Sequence, residues 1–231
     1  MLDEPIDPDV HAEALMHAWG SDRWSTAKII DARARETSLR DTLDVESGNN
    51  PQDHSVIALE ALQQWALDPD GAPYCAILGE YGIGKTTTLK QFTEALLKRR
   101  REGEEVPLPI FIDLRIYSPT IHKGDVPPLE QLLTELLDRV WETTHSQAFK
   151  AKDILRLVRE EGAILIFDGL DEKLVHLDET QCRAFLRTLW NALPPFEARP
   201  KRAPELSGRR RAAPTVTASN HRPGTGQATC R

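Results

Sequence analysis

The stretch "ILGEYGIGKTTTLKQF", Ile77–Phe92, passes from apolar β-type residues through Gly79, Gly82 and Gly84 into a helix-forming segment. Glycine loses more backbone freedom on folding than any other residue and packs nothing, so this density needs a reason. Within it, "GEYGIGKT", Gly79–Thr86, fits the spacing G-x-x-x-x-G-K-[ST] without a gap. Average residue usage yields that spacing by chance in roughly one chain in a hundred of this length. A glycine-rich turn is the plain alternative. The apolar run before the loop and the helical pattern after it favour the phosphate-loop reading instead.

The chemistry follows from the backbone. Glycines let Gly79, Glu80, Tyr81, Gly82, Ile83 and Gly84 wrap closely and aim successive N–H groups inward, making a nest for an anion. Gly84 leads into a helix whose N-terminal partial positive charge favours the same anion. Lys85 is expected to reach the β- and γ-phosphates and to serve catalysis as a charge. The Thr86 hydroxyl is expected on Mg²⁺, and Thr87 near the α-phosphate.

A second signal is independent of the first. "AILIFDGLDE", Ala163–Glu172, is an apolar run ending in aspartate, followed by an acidic pair. Ligands in parallel sheets bind at the C-terminal ends of the strands, which is where Asp168 falls. Asp168 is therefore the second metal candidate, opposite Thr86. Asp171 and Glu172, one turn further on, are candidates to orient or deprotonate an attacking water, Glu172 being the favoured base.

Outward from these motifs, three apolar runs alternate with helical patterns: Tyr74–Leu78, "IFIDLR" at 110–115 and "AILIF" at 163–167. The first is expected to be a strand buried on both faces. Helices are expected over 55–67, 84–101, 129–141 and about 151–161. A last one opens at Asp178, where Gln181 completes a capping box. Its expected stripe is Cys182, Phe185, Leu186, Leu189, Trp190 and Leu193. The fold class is thus α/β: a parallel sheet of P-loop NTPase type with flanking helices, incomplete at the C-terminus, behind a helical N-terminal segment.

The domain reading is 1–50 helical ("DPDVHAEALMHAW" and "WSTAKIIDARARE"), 55–196 nucleotide-binding core, and 197–231 a disordered basic tail. The turn formers "ESGNNPQD", 46–53, mark the first boundary. Of the net charge of −7, the tail holds eight Lys or Arg against Glu197 and Glu205, a net +6, leaving −13 for residues 1–196. An acidic body gives no reason to expect nucleic-acid binding. Cys75, Cys182 and Cys230 are isolated, which suggests thiols in a reducing compartment. No apolar run is long enough to span a membrane, so the expectation is cytoplasmic.

Taken together, "GEYGIGKT" and "DGLDE" after a hydrophobic strand resemble the NACHT branch of the STAND class of P-loop NTPases, over roughly residues 55–196. "VIALEALQQWAL" ahead of the first strand is similar to the lead-in of bacterial members, and "PIFIDLR" also matches. The resemblance implies ATP (or GTP) with Mg²⁺, slow hydrolysis, and a conformational switch or self-oligomerisation on a protein trigger, used in signalling and defence. It also implies a strand 4 lying between the two motif-bearing strands.

After Leu193 the chain offers only "TVTAS", 215–219, for that strand, and the sensor regions of the family do not follow. The expectation is therefore a truncated or frameshifted NTPase, or a fragment of a larger one, with β-like residues 215–219 too weak for a central strand. Arg115, Arg156, Arg159 and Arg187 are expected to be solvated charges, so no arginine finger is assigned. Two other functions remain open: a non-catalytic nucleotide-binding or interaction module, and an AAA-like ATPase.

Overall fold

Asp7 caps the first helix by accepting a hydrogen bond from the Asp9 amide at 3.0 Å, and Pro8 sits at the first position, where its missing N–H costs nothing. This is α1, Pro8–Ala18. There follow β1 (Arg33–Ser38), β2 (Val56–Ile57), α2 (Ala58–Leu67), β3 (Ala76–Leu78), α3 (Lys85–Arg101) and β4 (Pro109–Asp113). After a 3-10 turn at Leu114–Ile116 come α4 (Leu129–Trp141), α5 (Ala151–Glu160), β5 (Ile164–Asp168), α6 (Leu170–Leu174), α7 (Glu179–Trp190) and β6 (Pro214–Ser219). The computed structural model describes residues 7–19, 33–38, 56–116, 126–141, 149–193 and 214–219, with β1 and β6 described as backbone. The expected boundary at 46–53 and most of the 197–231 tail lie outside these residues.

The chain divides into two units, residues 1–28 with 89–207 and residues 29–88 with 208–231. In the first, β4 and β5 run parallel, in register from Pro109 against Ile164 to Asp113 against Asp168. Parallel neighbours need a long crossover, which α4 and α5 supply. All five residues of β4 are buried. In β5 burial favours alternate residues, Ile164, Ile166 and Asp168. In α4, where a helix is expected, Leu129, Leu132, Leu133, Leu136, Leu137 and Val140 are buried along one stripe, and α5 adds Ile154, Leu155, Leu157 and Val158.

The N-terminal helix α1 lies against β4, burying Leu15 and Met16. Arg100 of α3 ties it there by forking onto the Asp9 carboxylate, with Nη2 to Oδ2 at 2.9 Å, while Nη1 donates to the Val106 carbonyl at 2.6 Å. In α7 the Asp178–Gln181 capping box forms as the sequence predicts. The stripe is narrower than expected: Phe185 and Leu189 are buried with Thr188, whereas Trp190 is 57% exposed.

The second unit holds a four-stranded sheet in the order β2-β1-β6-β3. β3 pairs in parallel with β6, Ala76 against Thr215 through Leu78 against Thr217. β6 then pairs antiparallel with β1, and β1 with β2. Two expectations are corrected here. Residues 33–38 are a strand, where a helix through Glu36 is expected, and "TVTAS" is a strand beside β3, where the sequence reading leaves it unplaced. Both segments are short and lack a helical apolar stripe. β-branched Thr215, Val216 and Thr217 suit a pleated strand once β1 and β3 flank it, and Pro214 takes the first strand position, where a missing N–H is tolerated.

α2 packs on β1 and β6 through Ala58, Leu62 and Ala66, an i, i+4, i+8 stripe. The helix starts at Ala58, not at Ser55, because Val56–Ile57 pair with β1, and Val56 is exposed. β3 also departs from the expectation of two-sided burial. It is three residues long, with Ala76 and Leu78 exposed and Ile77 half-buried.

Candidate functional site

The phosphate-loop residues fall in the second unit, and the carboxylates in the first. In the loop, Gly82 and Gly84 adopt φ of +81° and +94°. L-residues rarely enter that region, so the glycines of the motif are needed for backbone conformation and not for space; a Cβ at either would meet nothing within 4 Å. Thr88 N–H donates to the Gly84 carbonyl at 2.9 Å, closing the first turn of α3 directly behind the loop.

Lys85 folds back over the loop. Its Nζ donates to the Gly79 carbonyl at 2.8 Å and to the Glu80 carbonyl at 3.1 Å. The ammonium therefore closes the loop on itself and already sits among the residues expected to receive phosphate. Tyr81 stands out at 88% exposure, while Ile83, Thr86 and Thr87 are half-buried.

In the first unit, Asp168 ends β5 with only 4% of its surface exposed. Its register partner Asp113 ends β4, 6% exposed. Adjacent strands lie about 4.8 Å apart, so two buried carboxylates stand side by side. Arg115, in the 3-10 turn after β4, bridges them. Its Nε and Nη2 donate to Asp113 Oδ1 at 2.8 Å and Oδ2 at 2.5 Å, and Nη2 lies 3.3 Å from Asp168 Oδ2. The Arg115 backbone N–H adds a bond to Asp113 Oδ1 at 2.9 Å.

These charges tune one another. The hydrogen bond to Asp113 is the chief reason the Arg115 guanidinium holds its proton more tightly than usual, and Asp168 and Glu172 add to it. Lys90 of α3 is buried, donating to the Trp19 carbonyl at 3.1 Å and lying over the Phe111 ring at 5.9 Å. Burial pushes its ammonium below the ordinary 10.5, with Arg115 adding to this and Asp113, Asp168 and Glu94 opposing.

The chain reverses after Asp168 through Gly169, at φ +75°, into the short helix α6 that carries Asp171 and Glu172, both exposed. A Cβ at Gly169 would lie 2.5 Å from Arg115 Cγ. Gly169→Ala is therefore expected to cost about 2–3 kcal/mol, from the left-handed backbone plus the clash. Denaturant unfolding of the full chain checks this; a change under 0.5 kcal/mol, within ordinary surface scatter, would contradict it.

Sequence reasoning missed Asp113 and Arg115. The "D-x-R" at the end of a strand was visible, but its value depends on the register that sets Asp113 beside Asp168. Arg115 is thus ion-paired to buried carboxylates, although its side chain remains 35% exposed. Arg159 is exposed, as expected, and also donates to the Asn191 carbonyl at 2.7 Å and the Ala192 carbonyl at 3.2 Å at the end of α7.

For Mg²⁺, the chain needs to offer only one or two hard oxygens, because phosphates and water complete the shell. In the first unit, the buried Asp168 carboxylate at the C-terminal end of a parallel strand is an oxygen of that kind; in the second unit, the Thr86 hydroxyl behind the glycine loop is another. Among the described residues, no group of three or more His, Cys, Asp or Glu forms a separate metal site, and no helix is long and apolar enough to cross a membrane.

The family profile of the NACHT domain matches residues 73–202, more than half of the chain and inclusive of both motifs. A WD repeat-containing protein of Nostoc sp. (strain PCC 7120), described as uncharacterized, is 30% identical over 120 residues. That alignment covers 50% of this chain and 7% of the relative, so the chain spans a small part of that protein's length. No solved structure gives a significant match.

Proposed function

The chain belongs to the NACHT domain family, and from that premise we propose that it is a nucleotide-operated switch: it binds a nucleoside triphosphate, ATP or GTP, with Mg²⁺, and hydrolyses it slowly. Membership itself implies the P-loop NTPase fold and nucleotide binding. The finer reading rests on one observation above all, the loop Gly79–Thr86 with inverted Gly82 and Gly84 and Lys85 folded over it.

In this mechanism the loop amides and Lys85 bind the β- and γ-phosphates, and Thr86 and Asp168 are the residues that would hold the metal. Mg²⁺, when bound, neutralises charge on the phosphates and on the leaving oxygen. Glu172, exposed on the first turn of α6, orients a water and accepts its proton, with Asp171 beside it. Positioning and charge neutralisation supply the rate, since phosphoryl transfer asks little covalent chemistry of the protein. We place the protein in the cytoplasm, with the nucleotide state read out through self-association or a protein trigger, in signalling or defence.

The test is a fluorescent-nucleotide titration with Mg²⁺ and with EDTA. Wild type is expected to bind more tightly with Mg²⁺. In Asp168→Asn the advantage conferred by Mg²⁺ is expected to shrink by about 10- to 100-fold, at least the cost of disturbing a metal's supporting shell. Absence of binding in a folded sample, or an Asp168→Asn protein with an undiminished Mg²⁺ advantage, would refute the assignment.

A further inference from the structure

We propose that Arg115 is a built-in competitor cation for Asp168: fastened to Asp113, it holds the Asp168 carboxylate in place without metal and sets how much binding energy a metal must bring to claim it. This deepens the reading of Asp168 as metal-holding and rests on it.

Three observations carry it. Asp113 and Asp168 are register partners on parallel strands, each less than a tenth exposed, so with both ionised their repulsion calls for a cation between them. The guanidinium supplies one, with both prongs of its fork on Asp113 and Nη2 3.3 Å from Asp168 Oδ2. Its seat is also built into the neighbouring motif, because the Arg115 stem crosses the place where any Cβ at residue 169 would stand. Arg115 is thus held from both motifs, at Asp113 by hydrogen bonds and at Gly169 by contact.

A metal ion on Asp168 and a guanidinium on Asp168 are two cations drawing on one carboxylate, so each weakens the other's hold. The 3.3 Å contact to Asp168 is longer than the 2.5 and 2.8 Å bonds to Asp113. It is the link that yields first, leaving Arg115 moored on Asp113. Two substitutions then act in opposite directions. Arg115→Met removes the competitor and leaves two carboxylates for a cation. Asp113→Asn weakens the mooring, so that the fork turns to Asp168 and competes harder.

The readout is the ratio of mant-ATP affinity in Mg²⁺ to that in EDTA, for wild type, Arg115→Met, Arg115→Lys, Asp113→Asn and Asp168→Asn. Arg115→Met is expected to raise the ratio about tenfold and Asp113→Asn to lower it by a similar factor, the change of one charged contact. Arg115→Lys, which keeps the charge but loses the fork, is expected between Arg115→Met and wild type, and it carries the test if Arg115→Met does not fold. Mg²⁺ alone, without nucleotide, is expected to raise the melting temperature of the Arg115 variants more than that of wild type.

A merely structural Arg115 would move both substitutions the same way, and that result, or ratios within threefold of wild type, overturns the proposal. The two readings fail separately. An unchanged ratio in Asp168→Asn removes the metal role of Asp168. A collapsed ratio there, without divergence of the Arg115 and Asp113 variants, removes the competitor alone.

Discussion

Lys85→Ala is expected to weaken nucleotide binding in Mg²⁺ by about 30- to 700-fold, or about 2–4 kcal/mol, the usual loss when one member of a buried charge pair is truncated. The ammonium is already inside the loop, bonded to the Gly79 and Glu80 carbonyls. Binding a triphosphate exchanges those neutral acceptors for anionic oxygens, a stronger kind of hydrogen bond. The substitution also removes the closure of the loop, so melting curves must accompany the titration. Lys85→Arg separates the two effects, because it keeps the charge but changes reach and shape. An affinity within threefold of wild type in a folded Lys85→Ala protein would take the phosphate role away from this residue.

Glu172→Gln is expected to lower the rate of phosphate release by about 10²- to 10⁴-fold, the usual contribution of a positioned general base, while nucleotide affinity stays within threefold. The substitution removes one charge from an exposed position on α6 and keeps the shape of the side chain. Asp171→Asn is the control, expected to have the smaller effect. Undiminished turnover in Glu172→Gln would move the base elsewhere. Nucleotide binding that depends on Lys85, without turnover even in wild type, would point instead to a nucleotide-binding module that does no chemistry.

The two motifs were legible because each is a local pattern with a local cause. A glycine loop needs its inversions at fixed spacing, and the structure places them at Gly82 and Gly84. An apolar run ending in aspartate puts that carboxylate at the end of a strand, as at Asp168. The helices α3, α4, α5 and α7 were legible for a similar reason, since an apolar stripe at helical spacing declares which face it buries.

What escaped the sequence was pairing. Arg33–Ser38 carries no strong strand signal, and it becomes one because β2 and β6 flank it. "TVTAS" looked too slight for a sheet, yet β3 offers it a parallel partner in register. Strand preference is largely a preference for neighbours, and neighbours are not written at the strand's own position.

By itself, then, the sequence determined the α/β class, the glycine loop that runs into a helix at Lys85 and Thr86, and the acidic strand end at Asp168. These follow from backbone freedom, helix periodicity and strand apolarity within a dozen residues or so. Tertiary structure decided that Asp113, 55 residues before Asp168 in the chain, stands beside it, and that Arg115 joins the two. The reason is register: a one-residue slip of β4 against β5 would turn Asp113 to the other face of the sheet, and nothing local to either strand forbids that.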